Sequence, residues 1–375
     1  MKKHLFFITI AVSLLLSCSK TKQGDLLEIP IDIYQSDGLM PLSEITEELI
    51  AIELELTNES TLDPTRINRV IISEDKVFIT TWTRIFVFDK DGKYIRSIGS
   101  QGQGPGEYTN IRSIALDEKN KRLFVASAAY KIIAYDFDGK FLKETFFRKG
   151  SMRDINYVNE KLLLLAEKVT GGGSDGMHSL SAVYQLNDDL QLVDSCTIRD
   201  FYPKNINVIL GGPHPLGVNH ILKGSKSIDL YYGDYFLRND NMTERVLRDT
   251  LYRFENNHLI PDLKLKFRNN DANKIVHIYN IYRSSRYIFA TYTDYNRGGP
   301  YYNLAYFYFC YDTKTGKGYN MKDGYTDDIN KIEKPVKIRP SLLDTEMFYY
   351  WHTNMKPGDK EEPNPTLLTS TLLKS

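Results

Sequence analysis

A four-part unit that occurs twice in succession constrains this chain more than any other feature. I-F-V-F-D-K-D-G-K (Ile85 to Lys93) returns as I-I-A-Y-D-F-D-G-K (Ile132 to Lys140). Each copy sits at the same place in a longer pattern. The first unit contains R-V-I-I-S (Arg69 to Ser73), K-V-F-I-T-T-W (Lys76 to Trp82), R-I-F-V-F-D (Arg84 to Asp89) and Y-I-R-S-I-G (Tyr94 to Gly99). The second repeats the order as I-R-S-I-A-L-D, R-L-F-V-A-S, K-I-I-A-Y-D and F-L-K-E-T-F-F. Short β-rich runs separated by Ser, Asp, Lys and Gly turn signals read as strands. Between Gly92 and Gly139 the turn glycine moves 47 residues, a spacing typical of a propeller blade.

Later units drift in sequence but keep the turn between third and fourth strands, at Asp188-Asp189, Asn256-Asn257 and Lys314-Thr315-Gly316. Five such turns mark five blades. The tail supplies three more strands, Pro335 to Arg339, Glu346 to Trp351 and Thr366 to Leu373, without a fourth. Far upstream, E-L-I-A-I-E-L-E-L (Glu48 to Leu56) alternates apolar with acidic or small residues, the pattern of a strand with one wet face. It is the spare strand that completes the sixth blade and removes the open edge. The expected fold is therefore all-β: a six-bladed β-propeller of four-stranded antiparallel blades, closed by an N-terminal strand joining the C-terminal blade. The 26 tyrosines and 18 phenylalanines suit half-buried pleated surfaces. No helical stretch of useful length competes with this reading.

The first residues read as an address. Lys2 and Lys3 precede an apolar run from Leu5 to Leu16, too short to span a bilayer and fitting a secretory signal. Leu15-Leu16-Ser17-Cys18 resembles the bacterial lipobox, which implies lipidation at Cys18. Residues 1–17 are then the signal, 18–40 the lipidated N-terminus and tether, and 41–375 a single propeller domain held to a membrane by acyl chains. R-S-I-G-S-Q-G-Q-G-P-G-E-Y (Arg96 to Tyr108), with the following strand and Y-D-F-D-G-K, resembles the six-bladed β-propeller lipoproteins of Gram-negative bacteria, relatives of the NHL-repeat propellers. P-L-S-E-I-T-E-E-L-I-A-I-E-L-E (Pro41 to Glu55) and N-P-T-L-L (Asn364 to Leu368) resemble that family's two ends. The resemblance implies a propeller in the cell envelope, at the outer membrane, and carries no functional residues with it.

Bulk charge excludes little except nucleic acid: lysine plus arginine equals aspartate plus glutamate at 48 each. Cys196 and Cys310 fall in different units and read as two buried thiols, a disulfide remaining open.

Several motifs resolve to structural readings. Gly99, Gly102, Gly104 and Gly106 lack the Gly-Lys-Ser/Thr ending and the helix that a phosphate loop needs, so they read as a blade-to-blade link. Asp89-Lys90-Asp91-Gly92 and Asp136-Phe137-Asp138-Gly139 lack the twelfth-position glutamate of an EF-hand and read as hairpin turns. His214 and His220 make two of the three or four ligands a metal requires. No Gly-x-Ser-x-Gly, His-Glu-x-x-His or ordered serine-histidine-aspartate set is present. Neither a cofactor nor a metal is indicated.

One constellation follows from the repeat. Aligning I-N-R-V (Ile67 to Val70), I-R-S-I (Ile111 to Ile114) and M-R-D-I (Met152 to Ile155) puts Asn68, Arg112 and Arg153 at one position of the channel-lining strands. Two arginines near one channel mouth would attract a carboxylate, sulfate or phosphate; pairing with Asp154 and other acids as struts is the structural alternative. The expected function is a membrane-anchored, monomeric binding module for a glycan, peptide or envelope protein. Aromatic loops such as Tyr292 to Tyr302 would help it. An envelope hydrolase or lyase at the channel mouth is the alternative.

Overall fold

The computed structural model describes residues 26–33, 36–128, 130–171, 177–202, 207–208, 220–224, 227–233, 237–238, 249–268, 274–296, 305–353 and 363–374. Cys18, the signal and His214 lie outside them. Six sheets, each with four antiparallel blade strands, follow one another around a ring; blades one, two, three and five are built from consecutive strands, and N-terminal strands join blades four and six. Blade one comprises Arg69–Ile72, Lys76–Thr80, Ile85–Asp89 and Tyr94–Ser97. Blade two comprises Ile111–Asp117, Arg122–Ser127, Lys131–Asp136 and Phe141–Phe146. Blade three runs from Ser151–Val158 to Leu192–Phe201, blade four from Ile221–Lys223 to His258–Arg268 and blade five from Lys274–Arg283 to Lys317–Lys322. Blade six joins Arg339–Pro340, Met347–His352 and Thr366–Thr371 to the N-terminal strand Ile50–Glu53.

Closure therefore occurs as the alternation of Glu48 to Leu56 indicates. Ile50 pairs with Thr369 and Glu53 with Thr366. Ile52 and Leu54 face inward with Val70, Tyr349 and Leu367. Asn364 clamps the seam. Its side chain accepts from Leu62 N at 2.8 Å and donates to Glu55 O and Ser60 O, each at 2.8 Å.

Two boundaries differ from expectation. Leu27–Asp32, in the stretch expected to be tether, pairs in parallel with Leu263–Arg268 as a fifth strand on the outer edge of blade four. The weak alternation of Ile29, Ile31 and Ile33 explains it, since those three side chains are buried. In the tail, Ile332–Val336 pairs with Tyr325–Asp327 in a separate hairpin, so the inner strand of blade six begins at Arg339 rather than Pro335.

The turn signals hold one side-chain device. Asp89 Oδ1 accepts from Asp91 N at 3.0 Å and Lys93 N at 2.8 Å; Asp136 Oδ1 does the same for Asp138 N and Lys140 N. Asn187 Oδ1 repeats it with Asp189 N and Gln191 N. These carboxylates and amides cap their own turns, which leaves the Asp-Gly segments as hairpins.

Gly92 does more than turn. It adopts φ +88°, and a Cβ there would meet Glu53 O at 2.0 Å, while its own carbonyl accepts from Glu55 N at 2.8 Å. Gly139 has a similar φ of +82° but nothing closer than 3.5 Å. Gly92→Ala is expected to cost about 2–4 kcal/mol, against about 1 kcal/mol for Gly139→Ala, in denaturant melts. Equal costs would show that the turn does not support the closing strand.

The glycine-rich link is a folded strap. Ser100–Gln101 and Glu107–Tyr108 form a short parallel pair. Glu107 Oε2 accepts from Gly104 N and Glu144 Oε2 from Gly106 N, each at 2.8 Å. Carboxylates already occupy the amides that a phosphate would need.

Candidate functional site

Channel-lining strands decide what the centre of the ring presents. In blades two, three and five the register of the inner strand shifts by one residue near its start, leaving Arg112, Arg153 and Tyr279 as the extra residues. Such bulges re-aim a side chain. Asn68 holds the equivalent place in blade one, its N–H donating to Thr80 O at 2.8 Å and its Nδ2 to Arg112 O at 3.4 Å. The structure thus brings Asn68 and Arg112 together, and Arg112 is exposed.

Arg153 is only partly exposed and pairs with Glu167, one of the other acids of the structural alternative. Its Nη2 lies 2.9 Å from Glu167 Oε2, while Arg199 Nη2 and Ser179 Oγ hold Oε1 at 2.8 and 2.9 Å. Two guanidinium groups thus share one buried carboxylate. At the rim of the same blade, His178 Nε2 lies 2.7 Å from Asp200 Oδ1 and stacks on Tyr202 at 4.1 Å.

One residue further along each inner strand is a belt that the sequence alignment passed over. Arg69, Ser113 and Asp154 occupy equivalent places in blades one, two and three, and His220, Asn280 and Arg339 continue them in blades four, five and six. Asp154 is the hub. Its Oδ1 accepts from Arg69 Nη2 at 2.7 Å and Ser113 Oγ at 2.9 Å, and its Oδ2 from His220 N at 2.8 Å and Ile221 N at 3.0 Å. One carboxylate therefore joins four blades. Burial works to raise its pKa, but Arg69, His220 and the two amides outweigh burial and hold it below the usual carboxylate range.

His220 is buried, and its Nδ1 lies 3.0 Å from Tyr231 O. A carbonyl only accepts, so Nδ1 carries the proton. Burial, reinforced by Arg69 and Arg153, pulls its pKa below 6.5 despite the opposing pull of Asp154 and the Tyr231 carbonyl. The unfolded chain then takes up the proton first as the pH falls, so stability present at neutral pH is lost on descending through 6.5. Asp154 titrates below that window and keeps its ion pair. The melting temperature of the protein is expected to fall more steeply between about pH 7.5 and about pH 5 than that of His220→Asn, whose amide can still donate to Tyr231 O. Parallel profiles would remove His220 as the cause.

Other candidates resolve plainly. Cys196 and Cys310 are both free thiols. Tyr292, expected in an aromatic loop, is a fully buried strand residue stacked on Phe307 at 5.2 Å, its hydroxyl donating to Asn320 Oδ1; residues 297–304 lie outside the described residues. Among the described residues, no group of three or more His, Cys, Asp or Glu side chains could hold a metal ion.

Comparison with known proteins places the chain. The sequence pattern of DUF4934, a domain of unknown function, matches residues 27–369. The chain belongs to the DUF4934 family. The match begins at the parallel strand on blade four and ends in the last strand of blade six, so it spans the whole ring. This DUF4934 chain is similar in fold to the crystal structure of a putative exported protein from Bacteroides fragilis, with TM-score 0.58 and 15% identity over 93% of this chain and 100% of that one. The Neurospora crassa Pan2 WD40 domain aligns at TM-score 0.40 and 11% identity, covering 81% and 75% of the two chains. The Cps50 (Swd1) propeller domain of Myceliophteria thermophila aligns at 0.42 and 10%, covering 84% and 99%. These two weaker likenesses bear on neither fold nor function. No curated protein matches the sequence.

Proposed function

We propose that this DUF4934 protein is a lipid-anchored binding module of the cell envelope, tethered through Cys18 at the outer membrane, whose channel mouth receives an anionic ligand. An acidic glycan, an acidic peptide or a charged face of another envelope protein fits. The export signal pattern at Lys2 to Cys18 supports the address, as does the name of the similar Bacteroides fragilis protein.

The observation that carries the ligand class is the charge balance of the inner strands. Near the starts of those strands, among the described residues, Arg69, Arg112, Arg153 and Arg339 stand against the one carboxylate Asp154, while Glu167 from the second strand of blade three and Arg199 from the fourth meet Arg153; both carboxylates are already bound by arginine. Low-dielectric walls focus the excess positive potential toward the opening. Arg112, exposed on the bulge of blade two, is the side chain best placed to meet a ligand first.

Catalysis at this mouth would need an acid or base free to exchange protons with substrate. Asp154 accepts four hydrogen bonds and Glu167 is held by two arginines and a serine. Such commitments favour holding a ligand over transforming one.

A thermal-shift screen of the chain from residue 26 onward tests the reading, with uronic-acid tetrasaccharide, neutral tetrasaccharide, acidic peptide and basic peptide as probes. Anionic probes should raise the melting temperature and the others should not. Equal shifts from neutral or basic probes would overturn it.

A further inference from the structure

Across the channel from Asp154, the wall of blades five, six and one holds a further arginine. Arg339 takes the belt position of blade six. Its Cζ lies 4.1 Å from the centre of the Trp351 ring, and the groups that bear on its charge are the phenols of Tyr349 and Tyr308. Among the described residues no carboxylate pairs with it. Tyr349 also feels Arg69, so this phenol stands between two guanidinium groups of which Asp154 neutralises one. Burial lowers the Arg339 pKa, yet the residue is only partly buried.

The same arc carries buried polar atoms with no hydrogen-bond partner among the described residues. They are the Tyr308 hydroxyl, Asn280 Oδ1 at the belt position of blade five, and Thr80 Oγ1, which lies opposite Arg69 in register. Tyr308 is 4%, Asn280 9% and Thr80 0% exposed. A guanidinium lacking counter-charge and three unsatisfied polar atoms are each unfavourable in a protein interior. Unsatisfied atoms also occur in blades three and four, but there the arginines are paired with carboxylates, and it is their combination here with a guanidinium lacking counter-charge that describes a built site.

We propose that this arc binds the carboxylate of a small hydroxy acid that enters along the channel. The planar guanidinium of Arg339 matches a carboxylate in two-pronged fashion, and Trp351 beneath it fixes the plane. Tyr308 donates its O–H to the same anion. Asn280 Oδ1 accepts from the ligand's hydroxyl, a contact that a spherical inorganic anion cannot offer. The site uses blades five, six and one and stands independently of the Arg112 mouth.

Trp351 is one of two tryptophans, so Trp82→Phe leaves it as the sole reporter beside Arg339. Glycolate titrated into that variant at constant ionic strength should change the Trp351 emission saturably, and chloride should not. Arg339→Gln should abolish the response. Tyr308→Phe, which removes a hydroxyl with no partner among the described residues, should keep the melting temperature while weakening glycolate about tenfold or more. No saturable response, an unchanged Kd in Tyr308→Phe, or an equal response to chloride would each overturn the site. Should Arg339→Gln fail to fold, Tyr308→Phe decides alone.

Discussion

Replacing Asp154 with alanine is expected to lower the unfolding free energy by about 3–5 kcal/mol in chemical denaturation, the range for breaking a buried ion pair on one side. The change strips Arg69 of the carboxylate it pairs with and leaves Ser113, His220 N and Ile221 N without the acceptor they share. Arg69 is 5% exposed and Asp154 0%, so water cannot replace what is lost. The pair is not thereby a net source of stability. Removing both charges together with residues of similar volume, as in Arg69→Met with Asp154→Leu, should recover a large part of the loss. Arg112→Ala, at an exposed position, should stay within about 0.5 kcal/mol of the parent. An Asp154→Ala variant as stable as the parent would show that the belt does not join the blades.

Removing the closing strand should have the larger effect. A chain beginning after Leu54 loses the partner of Thr366–Thr371 and leaves an unpaired edge. It also loses Ile52 and Leu54 from the cluster with Val70 and Tyr349, and the Thr46 hydroxyl bond to Thr371 O at 2.9 Å. Loss of the cooperative transition and aggregation at micromolar concentration are expected, whereas a chain beginning at residue 26 should unfold cooperatively. Asn364→Ala gives a graded version: three backbone groups of residues 55–62 lose their partner, at a cost of about 2–4 kcal/mol. A cooperative fold without residues 26–54 would mean that the ring closes by another route.

Much of the ring could be read from residues because the same local chemistry recurs at each turn. Asp89, Asp136 and Asn187 each end a third strand and cap the turn that follows. Such short-range solutions leave a pattern in the chain. Strand Leu27–Asp32 leaves only the weak alternation of Ile29, Ile31 and Ile33, and its edge position on blade four is set by a partner more than two hundred residues away. The short inner strand of blade six was displaced for a similar reason, since Ile332–Val336 pairs instead with Tyr325–Asp327.

At the channel two neighbouring repeat columns carry different roles. Asn68, Arg112 and Arg153 do share a position, with a bulge at the two arginines, and the next residue of each strand reaches the neighbouring blade. A signal for it was present: the adjacent column contains Arg69, Ser113 and Asp154, a cation, a hydroxyl and an anion. Complementary groups in one repeat column mark contact between repeats, whereas like groups such as Arg112 and Arg153 repel. Glu167 and Arg199 had no such signal, since they converge only through the pairing of strands within blade three.

Calorimetric titration of a uronic-acid tetrasaccharide into the parent protein, Arg112→Ala and Arg153→Ala, with a neutral tetrasaccharide as control, tests the anionic mouth most directly. The expected result is saturable binding to the parent only with the acidic sugar, weakened about tenfold or more in Arg112→Ala with the melting temperature unchanged. Equal affinity in the parent and both variants, or equal binding of the neutral sugar, would contradict it.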